Sequence, residues 1–100
     1  MAATRRYAGK KWQGEDEEVA YSVDTTLWGG YDSDVAVTLL DGNGDDVSVA
    51  HLAGAASVVG NVITTPLVVA LGVDIRYTLQ ILWVCGANTF EAYCYIIGEV

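Results

Sequence analysis

A chain of 100 residues has room for one hydrophobic core and not for a second. With 52% hydrophobic and only 18% charged residues, it has few polar groups to cover a monomer's surface, so part of the outside is expected to be buried against something else. Arg5, Arg6, Lys10 and Lys11 are four of its five basic residues, and from Gln13 onward Arg76 alone stands against thirteen carboxylates; such an acidic body repels polyanions and disfavours nucleic acid as the main partner.

Residues 1–12 carry no hydrophobic period and are expected to form a flexible basic arm, able to touch a polyanion or the acidic body of a neighbour. Their polar, basic character does not match a signal peptide. The most apolar stretch, 62–73, is too short for a bilayer and is interrupted by Thr64, Thr65 and Pro66. A soluble protein made in a reducing cytoplasm, with no membrane partner, is the expectation. Glu15, Asp16, Glu17 and Glu18 form an exposed lead-in. Val19, Tyr21 and Val23 then alternate with Ala20, Ser22 and Asp24, which predicts a strand.

Val35, Val37 and Leu39 predict a second strand, and the turn-forming run Asp41 to Asp46 leads to Val47, Val49 and His51, together predicting a hairpin. Val58-Val59, Val62-Ile63 and Leu67 to Leu71 are short apolar pieces, with Pro66 suited to a strand start or an edge. Two long strands follow, Ile75 to Cys85 and Thr89 to Ile97, joined by Gly86-Ala87-Asn88. At about 3.3 Å per residue each would extend roughly 30 Å. Some seven short strands with turns every eight to twelve residues predict an all-β, immunoglobulin-like β-sandwich over 13–100.

Alternation divides the last hairpin into two faces. Tyr77, Leu79, Ile81 and Trp83, with Phe90, Ala92, Cys94 and Ile96, are expected inside. Leu82, Val84, Tyr93, Tyr95 and Ile97 then lie outside, where a solvated sheet should be polar. Either the N-terminal segment or a loop folds over them, or they form a subunit interface, where tyrosine is favoured. In this register Cys85 and Cys94 are about four or five residues apart along the ladder, beyond disulfide reach, and read as apolar fillers.

Residues that carry chemistry are scarce. The run Asp41 to Asp46 resembles a calcium loop, but Asp46 and Leu52 stand where an EF-hand needs Gly and a bidentate Glu. His51, the only histidine, has no assignable nucleophile, and the carboxylates at 15–18 share one exposed environment rather than two different ones. No catalytic residue, metal site or cofactor is expected, and an enzyme is disfavoured. Trp83 falls on the core face, whereas Trp12 and Trp28 are candidate contact anchors or satellite core.

The segment Glu18-Val19-Ala20-Tyr21-Ser22-Val23-Asp24, a few residues before Trp28-Gly29-Gly30, resembles the opening of small phage tail proteins called fiber-tail adaptors. In that family an Asp commonly precedes the Tyr and a Trp follows the last Asp; here Ala20 and Thr25 stand at those places. Leu71-Gly72, Tyr77-Thr78-Leu79, the long strand, the glycine turn and Thr89-Phe90-Glu91 follow the family's closing hairpin in order, so the likeness spans about residues 10 to 98. It implies an Ig-like fold and a virion structural protein in the neck, tail or baseplate: a multi-copy adaptor, ring-forming or otherwise symmetric, that joins fibers or other larger virion proteins. It carries no catalytic residues. Tyr93, Tyr95 and Ile97 depart from the family, standing where outward polar residues are usual. A capsid-decorating Ig-like protein and a carbohydrate or adhesion module, the latter through Trp28 and Tyr31, are the competing expectations.

Overall fold

The computed structural model of the chain describes residues 4–26, 29–30 and 33–99, and for residues 4–8 and 33 the backbone only. The protein is all-β. In chain order the elements are β1 (Thr4–Gly14), β2 (Ser22–Asp24), β3 (Ser33–Leu40), a single helical turn α1 (Ser48–His51), β4 (Leu52–Ala53), β5 (Ser57–Val59), β6 (Val62–Thr64), β7 (Leu67–Val68), β8 (Arg76–Cys85) and β9 (Asn88–Glu99). One layer is a four-stranded sheet ordered β1-β9-β8-β3; facing it are a three-stranded sheet, β2-β6-β5, and the pair β4-β7. The long strands of the first sheet stretch the molecule to 41 × 25 × 22 Å.

The inner face of the large sheet follows the alternation. Tyr77, Leu79, Ile81, Trp83, Ala92, Cys94 and Ile96 are buried, and Phe90 is half-buried at the hairpin end. They pack in two adjoining clusters. Near one end Leu79, Cys94 and Ile96 meet Leu39, Val68 and Leu71. Near the other, Ile81, Trp83 and Ala92 meet Val23 and Ile63 from the small sheet. Each fully covered aliphatic or aromatic side chain contributes about 1.5–3 kcal/mol, so these two clusters hold the layers together.

The β8–β9 turn is shorter than expected. Gly86 and Ala87 alone form it, and Asn88 already pairs with Cys85. Gly86 supplies the positive φ of +61° that the first position of such a two-residue turn requires. Cys94 lies opposite Leu79, and the two thiols remain free. Cys94 is buried, and burial pushes its thiol up to about 11. Cys85 is half-buried and its thiol donates to the Gly29 carbonyl at 3.2 Å.

The structure corrects two further expectations. Residues 4–12 are not a flexible arm: they belong to β1, which pairs in parallel with β9 from Thr4↔Phe90 to Gly14↔Glu99. The pairing uses backbone groups of an edge strand, which every residue carries, so no apolar period was needed. An irregularity between Tyr7 and Lys10 also inserts an extra residue, with Gly9 at φ +104°, and breaks the parity of the sequence. The boundary between arm and domain therefore falls inside a strand.

The second correction concerns Val47, Val49 and His51, which do not form the return strand of a hairpin. The Ser48 hydroxyl donates to Asp46 Oδ1 at 2.6 Å and accepts from the Leu39 N–H at 2.9 Å. It thus occupies the acceptor position that a partner strand's carbonyl would fill, while the Ser48 N–H also donates to Asp46. The chain leaves β3 as a helical turn, and Val49 points fully into solvent. His51 rests edge-on against Tyr77, its Nδ1 3.1 Å from the Val69 carbonyl.

Gln13 anchors the root of β1 across the layers. Its side chain is fully buried, donates to the carbonyls of Val68 at 2.6 Å and Glu17 at 3.0 Å, and accepts from the Tyr21 hydroxyl at 2.8 Å. Burial, with lesser contributions from Cys94 and Glu17, pushes the Tyr21 hydroxyl up to about 12, so it remains a donor. Gln13→Ala would leave part of this buried set unsatisfied, and a loss of about 2 kcal/mol is expected in urea denaturation. Amide exchange should quicken along residues 4–14 first; unchanged protection there would mean that β9 pairing alone holds the strand.

Candidate functional site

The outward face of the large sheet is built by register. On β8 and β9 the opposed pairs are Arg76↔Ile97, Thr78↔Tyr95, Gln80↔Tyr93 and Leu82↔Glu91. From β1, Lys10 stands beside Tyr95 and Trp12 beside Ile97. From β3, Ala36 stands beside Leu82, Thr38 beside Gln80 and Leu40 beside Thr78. Residues opposite each other in a ladder share a face, so these side chains form one continuous surface.

Aromatic and cationic groups concentrate at one end of it. Tyr93 and Tyr95 meet edge to face with centroids 5.6 Å apart. The Arg76 guanidinium lies 4.4 Å over the Tyr95 ring, and Lys10 Nζ lies 5.9 Å from the centroid of Trp12. Each cation sits where the ring quadrupole attracts it, which restrains both partners before anything binds. Trp12 is 58% exposed, whereas Leu82, Val84, Tyr93, Tyr95 and Ile97 are half-buried by their neighbours in the sheet.

Residues 4–14 do not fold over this face. β1 lies in the plane of the sheet, hydrogen-bonded to the edge of β9, and the core clusters bring the small sheets onto the opposite face. β1 therefore widens the surface it had been expected either to cover or to leave.

Of the residues singled out in the sequence, Lys10, Trp12, Leu82, Val84, Tyr93, Tyr95 and Ile97 come together here. Lys11 does not: it is exposed but stands opposite Ile96, in register with the inner face. Arg5 and Arg6 belong to β1 by backbone register, opposite Glu91 and Ala92. Trp28 and Tyr31 lie outside the described residues. Arg76 was missed as a site residue. Alternation along β8 puts it on the outward side with Thr78 and Gln80, but its place over Tyr95 depends on the β8–β9 register.

The turn at 41–46 closes on itself. Asp41 Oδ1 accepts from the backbone N–H groups of Asn43 and Asp45, at 2.9 and 3.0 Å. A shallow cleft of about 320 Å³ adjoins it, lined by Asp41, Gly42, Asn43, Asp74, Ile75 and Arg76. Among the described residues no group of three or more His, Cys, Asp or Glu side chains is placed to hold a metal ion. The arrangement that stands out is therefore a broad, aromatic-cationic sheet face suited to contact. No family model matches the chain, and no curated protein matches it either.

Proposed function

We propose that the protein is a phage virion structural protein, a multi-copy adaptor in the neck, tail or baseplate that joins larger proteins such as fibers to the tail, and that it works by contact rather than catalysis. The observation that carries the contact role is the outer face of the β1-β9-β8-β3 sheet, where the exposed Trp12 and the half-buried Tyr93, Tyr95 and Ile97 lie together, with Arg76 over Tyr95 and Lys10 over Trp12. Interface cores favour Trp, Tyr and Arg, and rings already restrained by their neighbours lose little freedom on binding.

The finer fold reading is Ig-like. The orders β2-β6-β5 and β9-β8-β3 correspond to the B-E-D and G-F-C strands of that fold. Tyr77, at the start of β8, accepts a hydrogen bond from the Gly72 N–H at 2.9 Å, in the manner of a tyrosine corner. Both features support the resemblance to fiber-tail adaptors, on which the virion setting rests.

The test is in particles. Changing Leu82, Val84, Tyr93 and Tyr95 together to Ser should leave a folded domain, since none is in the buried core, and should abolish its incorporation. Normal incorporation of that variant would remove the face as an interface. Locating the wild-type protein by immunogold on the head rather than the tail would replace the adaptor role with capsid decoration.

A further inference from the structure

We infer that the aromatic-cationic outer face docks the acidic segment Glu15–Glu18 of a second copy of this chain, head to tail. The inference rests on the contact role proposed above and assigns its partner.

The protein carries a net charge of −8, and Lys10 and Arg76, two of its five basic residues, lie together at one end of this face, away from Glu91 opposite Leu82. Arg76 and Lys10 flank Tyr95 there, stacked on rings that displace water from one side of each cation. A symmetric pairing centred on Tyr95 would set these cations against their own copies, and like charges at a desolvated contact oppose it. The occupant must bring negative charge. Glu15, Asp16, Glu17 and Glu18 are all exposed and form the densest acidic run in the sequence, and among the described residues none of them is in an ion pair.

This run cannot serve its own face. The Glu15 N–H donates to the Glu99 carbonyl at the end of the sheet, and Val19 pairs with Val68 in the opposite layer. Residues 15–18 therefore cross the end of the sandwich away from the outer face, and Gln13 holds that crossing in place through the Glu17 and Val68 carbonyls. Each copy then offers one basic face and one acidic end. Two unlike surfaces make a heterologous contact, which closes into a ring or runs on as a filament.

Charge exchange on the full-length chain tests this. Wild-type protein should form oligomers larger than a dimer in native mass spectrometry and sedimentation at low salt, and should dissociate as the salt approaches 0.5 M. Lys10→Glu with Arg76→Glu makes both surfaces acidic; Glu15→Lys, Asp16→Lys and Glu18→Lys together make both basic. All five residues are exposed, and Glu17, which accepts from the Gly14 N–H, is left intact. Each variant alone should be monomeric with a wild-type circular dichroism spectrum, and an equimolar mixture should recover the oligomer, because each acidic surface again meets a basic one.

A wild-type protein that stays monomeric, a dimer that survives high salt, or mixing that restores nothing would overturn the inference. Binding of a synthetic acidic peptide by a monomeric wild type would instead give the face to a different acidic partner. Detection of the protein in particles would leave the adaptor role standing in each of these cases, and its absence from particles would remove that role whatever the solution state.

Discussion

Trp83→Ala is expected to cost about 3–5 kcal/mol, the largest effect of any single substitution considered in this protein. Trp83 has no exposed surface, lies with its ring 5.9 Å from that of Phe90 between centroids, and shares a cluster with Val23, Ile63, Ile81 and Ala92. It is the piece that fills the space between β8 and the short β2-β6-β5 sheet. Those three strands have only three residues each, and their own ladders cannot hold them. Truncation removes the transfer energy of the indole and leaves a cavity that rigid neighbouring strands cannot collapse. A domain of this size has only about 5–15 kcal/mol in all, so the midpoint of thermal unfolding should fall by roughly 20 °C. Trp83→Phe, which keeps most of the volume, should cost less than half as much. Similar losses for Phe and Ala would show that something other than cavity formation is being measured.

Gly98→Ala, the addition of a single methyl group, is expected to destabilise by about 3 kcal/mol through overpacking. A Cβ on Gly98 would be driven into the backbone carbonyl of Gly72, well inside contact distance. Neither side can yield cheaply. The Gly98 N–H donates to the Ile75 carbonyl at 3.0 Å and its carbonyl accepts from the Asp74 N–H at 2.9 Å. Gly72 is held by its bond to the Tyr77 hydroxyl, and the loop around it contains Ala70 and Asp74 at positive φ, 55° and 63°. Relief would require β9 to shift at Ile97 to Glu99, where it pairs with Trp12 and Gly14, so the outer face should be disturbed as well. Urea denaturation measures the first effect. A variant within 1 kcal/mol of wild type would mean that the 70–75 corner is far softer than its hydrogen bonds imply. Gly44→Ala is the contrasting case: a Cβ there meets nothing, and its cost comes only from a φ of +83°.

The two glycines show what a sequence can and cannot announce. Gly86 was legible as a turn residue, because it stands between two alternating runs and a tight connection favours a residue that tolerates positive φ; the two-residue length of the turn was not. Gly98 was not. It lies inside an ordinary strand, and the carbonyl it must admit belongs to a residue more than twenty positions earlier in the chain. The same divide runs through the contact surface. Tyr93, Tyr95, Ile97, Leu82 and Val84 could be assigned to one outward face from alternation alone, since side chains in a strand change sides at every residue. Arg76 on Tyr95 needed the register between two strands, and Lys10 and Trp12 needed a pairing between the two ends of the chain.

By itself the sequence determined the all-β class, the two faces of the last hairpin, the separation of the two cysteines and the acidic character of the body. All four follow from local periodicity or composition. Only the tertiary structure decided the fate of residues 4–14 and of the segment after Asp46. For β1 the bonds are made by backbone groups that every residue carries, so its side chains leave no signature of the partner it meets. After Asp46 the antiparallel pairing with β3 stops at one bridge, Leu40↔Asp46, and the Ser48 hydroxyl takes the Leu39 N–H in place of a strand carbonyl. A local pattern states which face a side chain can take; it does not state which distant backbone edge will be open when the chain returns.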